Sequence, residues 1–332
     1  MIIHLKKDIG NTKANEIAAK TNAFVVDRKD HYVLISSSST KEVPADIKDL
    51  VIESHVFPDD MQLSSRQYMN TTREIQFGNV KIGGNTNNTI MIAGPCSVES
   101  ETQIQESSAL LKSHNLTMLR GGCYKPRTSP YSFQGMGFSG LQLLAKMREQ
   151  HGLAVITEVR DATHVHEVIE HSDIIQIGAK AMYDQGILRA CAKTTKPVMI
   201  KRGFGSTLQE TVQCAEFVLS GGNDNVAICE RGLRTFETKT RFTLDLCGVA
   251  YLKEYTNLPV ILDPSHAMGH AYGVPDLTRA CMAMGVDGLI IEVHPDPAVA
   301  KSDASQQLNH AEFEGLLKTL APIGKAVGRN LV

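Results

Sequence analysis

From residue 89 onward the sequence repeats one pattern eight times: a short, almost unbroken apolar run, then a segment with helical periodicity. The runs are TIMIAGPCS, TMLRGG, AVITEV, IIQIGA, VMIKRG, VAICERG, VILDPSH and GLIIEVH, with amphipathic stretches such as TLQETVQCAEFVLS between them. Continuous apolar strands alternating with helices imply parallel strands buried on both faces. Eight such units in residues 89–332 match the count of a closed (β/α)8 TIM barrel. A doubly wound open sheet would show the same pattern, because a strand count says nothing about closure.

Upstream, residues 1–65 read in order as strand MIIHLK, helix KANEIAAKTN, strands AFVVDR and HYVLIS, helix VPADIKDL and strand VIESHVF. That is the βαββαβ order of a ferredoxin-like unit. The polar, aperiodic stretch 58–74 reads as a linker, and EIQFGNVKIGG as a hairpin turning at Gly78-Asn79. The expected organisation is therefore a small ferredoxin-like domain at 1–65, a linker and β-hairpin at 66–88, and a barrel at 89–332.

Each apolar run carries reactive residues at or just beyond its C-terminal end: Cys96; Arg120 with Lys125 and Arg127; Glu158; Lys180; Lys201 with Arg202; Arg231; Asp263 with His266; Glu292 with His294. In a parallel barrel those ends meet on one face, where the active sites of this fold lie. Singly, each has a structural alternative. A cysteine packs as a small hydrophobe, the reading given to Cys123, Cys191, Cys214, Cys229, Cys247 and Cys281, and Glu158 or Glu292 could pair with a neighbouring arginine.

Two chemical sets emerge. Cys96, His266 and Glu292 come from the first, seventh and eighth strands, which adjoin in a closed barrel, and Asp303 in KSDASQQ could complete the shell. Sulfur, imidazole and carboxylate donors together suit a divalent transition metal. The second set is cationic: Arg120, Lys125, Arg127, Lys180, Lys201, Arg202, Arg231 and Arg234. So many positive groups at one mouth call for an anionic ligand, and guanidinium forks suit phosphate and carboxylate.

Taken in order, AGPCS, RGGCYKPRTSPYSFQG, IQIGA, IKRGF, CERGLRTFE, DPSH, IIEVHPDP and SDASQQL resemble the type I 3-deoxy-D-arabino-heptulosonate 7-phosphate (DAHP) synthases, in the short-chain branch with an N-terminal ferredoxin-like domain. The resemblance implies condensation of phosphoenolpyruvate with erythrose 4-phosphate, with release of phosphate, at the entry to the shikimate pathway. It implies one divalent metal ion (Mn, Fe, Co, Zn or Cd) on Cys96, His266, Glu292 and Asp303. Phosphoenolpyruvate would be held by Arg120, Lys125, Lys201 and Arg231, with a further cation at Lys180, and erythrose 4-phosphate by Lys125, Arg127 and Thr128. Lys125, Glu158 and His294 are the candidates for acid/base work. The family usually has Arg after IGA and an Asn soon after; this chain has IGAKAMYDQG, which replaces a fork-shaped phosphate ligand with a point charge. The resemblance also implies an aromatic amino acid, tyrosine or phenylalanine, as inhibitor at the N-terminal domain, and a homo-oligomer, tetramer or dimer.

The nearest rival is 3-deoxy-D-manno-octulosonate 8-phosphate synthase, which uses arabinose 5-phosphate and carries a KANRSS-like segment where this chain has KPRTS. A catalytically silent effector-binding protein and a metal-dependent hydrolase are the others; the four donors argue against the former and the cations against the latter. A formal net charge of −2 with scattered basic residues gives no reason to expect nucleic acid or a membrane surface. No apolar run approaches the ~20 residues of a membrane span. MIIHLKKDIG lacks the order of a signal peptide, and seven cysteines without close pairs fit a reducing compartment, so the cytoplasm is the expected location.

Overall fold

The structure, a computed structural model, describes residues 1–125 and 129–332. Eight parallel strands form the barrel: β7 (Asn88–Gly94), β8 (Met118–Arg120), β9 (Ala154–Val159), β10 (Ile174–Ile177), β11 (Val198–Lys201), β12 (Val226–Glu230), β13 (Val260–Leu262) and β14 (Gly288–Glu292). Each pairs with the next, and β14 pairs back onto β7 from Gly288↔Ile90 to Glu292↔Gly94, so the sheet is closed rather than open. All eight runs expected from the sequence are strands. One further strand, β15 (Asn330–Leu331), adds in parallel to the start of β7.

The strands are near-continuous apolar runs because both faces are buried. Outward-facing residues such as Met91, Val155, Ile175 and Ile200 pack with the surrounding helices. Inward residues Ile90, Ile92, Met118, Ile156, Ile174, Met199, Ala227, Ile261 and Ile290 fill the interior. The helices start on local signals: Thr207 and Glu210 form a capping box at α6 (Leu208–Ser220), as do Asn309 and Glu312 at α10 (His310–Ala326).

The expected hairpin is β5 (Ile75–Phe77) and β6 (Val80–Ile82). Its buried Ile75, Phe77 and Ile82 join the interior cluster and close the end of the barrel opposite the strands' C-termini. Gly78, at the turn, has φ +60°, and a Cβ there would lie 2.4 Å from Ala154 Cβ.

At the N-terminus, β1 (Ile2–Lys6), α1 (Gly10–Lys20), β2 (Phe24–Asp27), β3 (His31–Ile35) and β4 (Val51–His55) form an antiparallel sheet of order β2–β3–β1–β4. The second expected helix is only a 3₁₀ turn, Ala45–Leu50. It follows Pro44 and buries Ile47 alone, so it has no apolar stripe to stabilise an α-helix. The polar stretch 58–74 is packed down rather than loose. Glu216 on α6 accepts hydrogen bonds from the backbone N–H groups of Gln62 and Ser64 at 2.8 Å each and from Ser64 Oγ at 2.6 Å. Asp224 pairs with Arg28 at 2.6 Å and Arg73 at 3.1 Å, tying the sheet and this stretch to the barrel. No described helix is long and apolar enough to cross a membrane.

Gly78→Ala tests the plug: it forces a positive-φ side chain into Ala154 and is expected to cost about 2–4 kcal/mol of stability. Chemical denaturation reads this directly, and an unchanged midpoint would mean the hairpin is not seated in the barrel.

Candidate active site

The site is built where the barrel closes. Because Glu292 lies in register with Gly94, the end of the last strand stands beside the turn that carries Cys96. Gly94 has φ +141°, and a Cβ there would come within 2.3 Å of Arg120 O, so only glycine lets β7 turn this tightly against β8. Asp263, just past β13, caps α8 (Pro264–Met268) by accepting from His266 N–H at 2.9 Å, which presents the imidazole to the same spot. Asp303 arrives from the long loop after β14 with φ +46°, a conformation aspartate adopts more readily than most residues.

These four side chains converge. One donor atom each of Cys96, His266, Glu292 and Asp303 lies within 4.8 Å of the others. Cys96 Sγ is 3.1 Å from Asp303 Oδ2, and His266 Nε2 is 3.4 Å from Glu292 Oε1 and 3.8 Å from Asp303 Oδ2. His266 Nδ1 is 2.8 Å from Asp263 Oδ2, the carboxylate–histidine arrangement that leaves Nε2 to a metal. Gln306 Nε2 donates to Glu292 Oε2 at 2.6 Å, and Gln307 Oε1 accepts from Cys96 N–H at 2.9 Å.

The electrostatics call for a cation. Burial, reinforced by Glu292, pushes the Cys96 thiol up to about 12. Burial likewise pushes Glu292 up, but His266 and Arg120 prevail and hold it below its ordinary range. Burial lowers the His266 pKa and so favours the neutral imidazole that ligates metals, although Asp263 and Glu292 pull the other way. Lys125 supplies one compensating charge: Nζ lies 3.0 Å from Cys96 Sγ and 3.1 Å from Cys96 O, and that sulfur leads the groups that raise its pKa against burial. A thiol, an imidazole and two carboxylates around one point fit a divalent transition metal.

A cavity of about 380 Å³ opens beside these donors, lined among others by Lys125, Glu158, Lys180, Lys201, Arg231 and Arg241. The cations are less uncompensated than the sequence suggests. Arg120 pairs with Glu292, Lys201 with Asp263 at 2.5 Å, and Arg241 with Asp303 at 3.3 Å. Arg202 does not join the cavity lining; it is buried between Glu230 at 2.9 Å and Asp245 at 2.8 Å. Arg234 is also absent from the lining and lies over Phe204.

Unlike Arg120, Lys201, Arg202 and Arg241, Arg231 makes no ion pair among the described residues. It is 3% exposed, yet its Nη1 has no hydrogen-bond partner among the described residues. Its guanidinium lies 4.2 Å from the Phe242 ring centroid and 5.0 Å from that of Phe204, and burial lowers its pKa despite Asp263. A buried cationic donor without an acceptor, held on aromatic faces at the edge of a cavity, is built for an anion.

Glu158 faces the same cavity and accepts from Gln176 Nε2 at 2.6 Å. His294 does not line it: the ring is buried, its Nδ1 accepts from Asp296 N–H at 3.0 Å, and Nε2 lies 3.7 Å from Glu99. Arg127 and Thr128 lie outside the described residues. Arg241, Phe204 and Gln306 escaped the sequence reading; Arg241 stands eleven positions beyond Glu230, the end of β12, in a loop with no periodicity to mark it. Cys247, read as a packing residue, is instead exposed, while the other six cysteines are buried.

A sequence model of the DAHP synthetase I family matches residues 72–328. The phospho-2-dehydro-3-deoxyheptonate aldolase of Thermotoga maritima is 42% identical over 267 residues, 80% of this chain and 78% of that protein. The 2-dehydro-3-deoxyphosphooctonate aldolase of Bradyrhizobium diazoefficiens is 34% identical, over 74% of this chain and 93% of that protein. Among solved structures, the Thermotoga maritima DAHP synthase superposes with a TM-score of 0.80 at 36% identity, covering 100% of this chain and 99% of that one. A truncated form of the Thermotoga maritima enzyme gives 0.76 at 37% identity, covering 81% of this chain and 98% of that one.

At pH 8 a thiol with a pKa near 12 is about 10⁻⁴ thiolate, against about a quarter for an ordinary exposed cysteine. In chelator-treated protein a disulfide reagent is therefore expected to modify Cys247 promptly and Cys96 on the order of 1,000-fold more slowly. Comparison with Cys247→Ser assigns the fast phase; fast labelling of Cys96 would contradict its burial.

Proposed function

The chain belongs to the DAHP synthetase I family, and we propose that its cavity carries out that family's reaction as follows. Phosphoenolpyruvate condenses with erythrose 4-phosphate and water to give 3-deoxy-D-arabino-heptulosonate 7-phosphate and phosphate, the first step of the shikimate pathway. The observation that carries the reading is the meeting of the four-donor cluster with a cavity edged by the unpartnered Arg231 guanidinium.

Cys96, His266, Glu292 and Asp303 would hold one divalent cation, of the Mn, Fe, Co, Zn or Cd class. When bound, it supplies a Lewis acid for the aldehyde oxygen of erythrose 4-phosphate. Arg231, Lys201, Arg120 and Lys125 bind phosphoenolpyruvate through its phosphate and carboxylate, with Lys180 adding a cation at the cavity rim. Arg127, Thr128 and Lys125 take erythrose 4-phosphate. This placement sets C3 of the enol phosphate against C1 of the aldehyde, and holding the two together is itself a large share of the catalysis. As the C3–C1 bond forms, Lys125 Nζ donates a proton to the aldehyde oxygen. The Glu158 carboxylate faces the positive charge that develops at C2 and takes a proton from the water that adds there. The C2 hydroxyl then becomes the C2=O carbonyl as the bond between C2 and the phosphate oxygen breaks, its proton passing to the departing phosphate, which Arg231 and Lys201 stabilise. His294, also expected in proton transfer, has no part in this scheme because it lies off the cavity.

The greater identity to the heptonate enzyme favours the four-carbon aldehyde over the five-carbon one. Phosphate release from phosphoenolpyruvate is expected with erythrose 4-phosphate and not with arabinose 5-phosphate, to disappear on chelation and to return with added divalent metal. Equal turnover before and after chelation would overturn the assignment. Asp263→Asn keeps all four donors but takes a carboxylate from His266 Nδ1, so metal affinity is expected to fall about 10- to 100-fold, read by competition with a chromophoric chelator.

The same proposal includes feedback inhibition by tyrosine or phenylalanine at residues 1–65, in a homo-oligomeric dimer or tetramer. The inhibitory role is supported by the docking of that unit onto the barrel through Glu216 on α6 and Asp224 in the loop that follows it. Removal of residues 1–65 should leave condensation and abolish inhibition; inhibition that survives the deletion would place the effector elsewhere.

A further inference from the structure

Outside the barrel cavity, the described residues contain one more group whose donors converge within 4.8 Å: His4, Glu53 and His55. The reason lies in sheet register. His4 on β1 stands directly across from Glu53 on the edge strand β4, and His55, two residues further along β4, shares the face of Glu53. The β1–β4 pairing shifts register between His4 and Leu5, an irregularity of the kind that re-aims a side chain beside a functional site.

We infer that this face carries a second divalent-metal site, with His4 Nδ1, a Glu53 carboxylate oxygen and His55 as ligands, sharing no residue with the barrel cavity. The geometry is that of a site with its supporting partners present. Glu53 lies between the two imidazoles, with Oε1 2.7 Å from His4 Nδ1 and Oε2 3.7 Å from His55 Nε2. His4 Nε2 is 2.9 Å from the Tyr68 hydroxyl, a contact that fixes the ring and turns Nδ1 toward Glu53, as a metal-ligating histidine requires of its second nitrogen. The neutral ring that binds a cation through the Nδ1 lone pair carries its single proton at Nε2, where it donates to Tyr68 Oη, so no proton is lost from this tautomer. Burial and the neighbouring His31 disfavour protonated His4, which keeps the ring in its ligand form. The pocket is open on one side, since the Glu53 side chain is 53% exposed while that of His4 is 11% exposed.

Two imidazoles and one carboxylate make a borderline donor set that selects zinc-like divalent ions over magnesium or calcium. An ion here joins β1 to β4 and, through Tyr68, to the stretch that leads into the barrel. It is a tie inside the N-terminal unit, independent of the condensation chemistry.

Full-length protein stripped by chelator and titrated with Zn²⁺ against a colorimetric competitor is expected to retain two tightly held ions per chain. Glu53→Gln and His55→Gln each retain one, Cys96→Ser retains one, and the Cys96→Ser/His55→Gln double variant none. Tyr68→Phe lowers the affinity of the N-terminal ion about 10-fold. With Co²⁺, Cys96→Ser is expected to lack thiolate-to-metal charge transfer but keep visible ligand-field bands, and the added His55→Gln change removes them. A parent protein with one ion, lost in Cys96→Ser, would refute this site and leave the barrel reading intact. Two ions that both survive His55→Gln would refute it equally. Loss of nothing in Cys96→Ser would count against the barrel site instead.

Discussion

The negative groups gathered at the barrel's closing seam are the constraint on which the rest depends. Glu292, Asp303, Asp263 and the Cys96 sulfur lie within one small, largely buried volume, and such a set is tolerable only when positive charge is interleaved with it. Arg120, Lys201, Arg241 and Lys125 each stand against one of them. Three of these cations, Lys125, Lys201 and Arg241, also line the cavity, so the charges that stabilise the donor cluster face the space beside it as well. Arg231, also buried, keeps an unpartnered Nη1 and makes no ion pair among the described residues.

Closure of the sheet makes this interleaving a consequence of topology. β14 adjoins β7 with Glu292 opposite Gly94, so donors separated by nearly two hundred residues become neighbours. The hairpin β5–β6 fills the opposite end with apolar side chains, which leaves the C-terminal face as the end where the strands' polar residues gather. Stability and function are thus segregated along the barrel axis, as is usual for this fold.

The N-terminal unit follows different rules. Its sheet has edges and two unlike faces: one is apolar and covered by α1 and the 3₁₀ turn, and the other packs Ile2, Val26, Val33 and Ile35 with the main core while also carrying His4, Glu53 and His55. The stretch between the two units looks like a spacer in sequence because its side chains are polar. Its packing comes from backbone N–H groups, three of which converge on the half-buried Glu216 carboxylate. Main-chain donors leave no mark in composition, so the packing of a segment read as a linker was not visible in the sequence. The second helix was overestimated for a related reason: local propensity was adequate, but only Ile47 had a core to face.

The eight strands, the hairpin and three of the four converging donors, Cys96, His266 and Glu292, were legible in the amino-acid order because each rests on a local signal, an apolar run or a reactive residue near the end of one; Asp303 comes from a loop. Arg202 and Arg231 show the limit. Each follows an apolar strand as a buried arginine, yet Arg202 is neutralised by Glu230 and Asp245, while Arg231 is stacked on Phe242 and Phe204 and aimed at the cavity. His294 was placed at the mouth by the same logic and lies outside the lining. Sequence by itself determined which residues could do chemistry and which strands would deliver them. Tertiary structure alone decided which charges cancel and which remain available, because Coulomb energies and desolvation depend on distances between segments that the linear order does not encode.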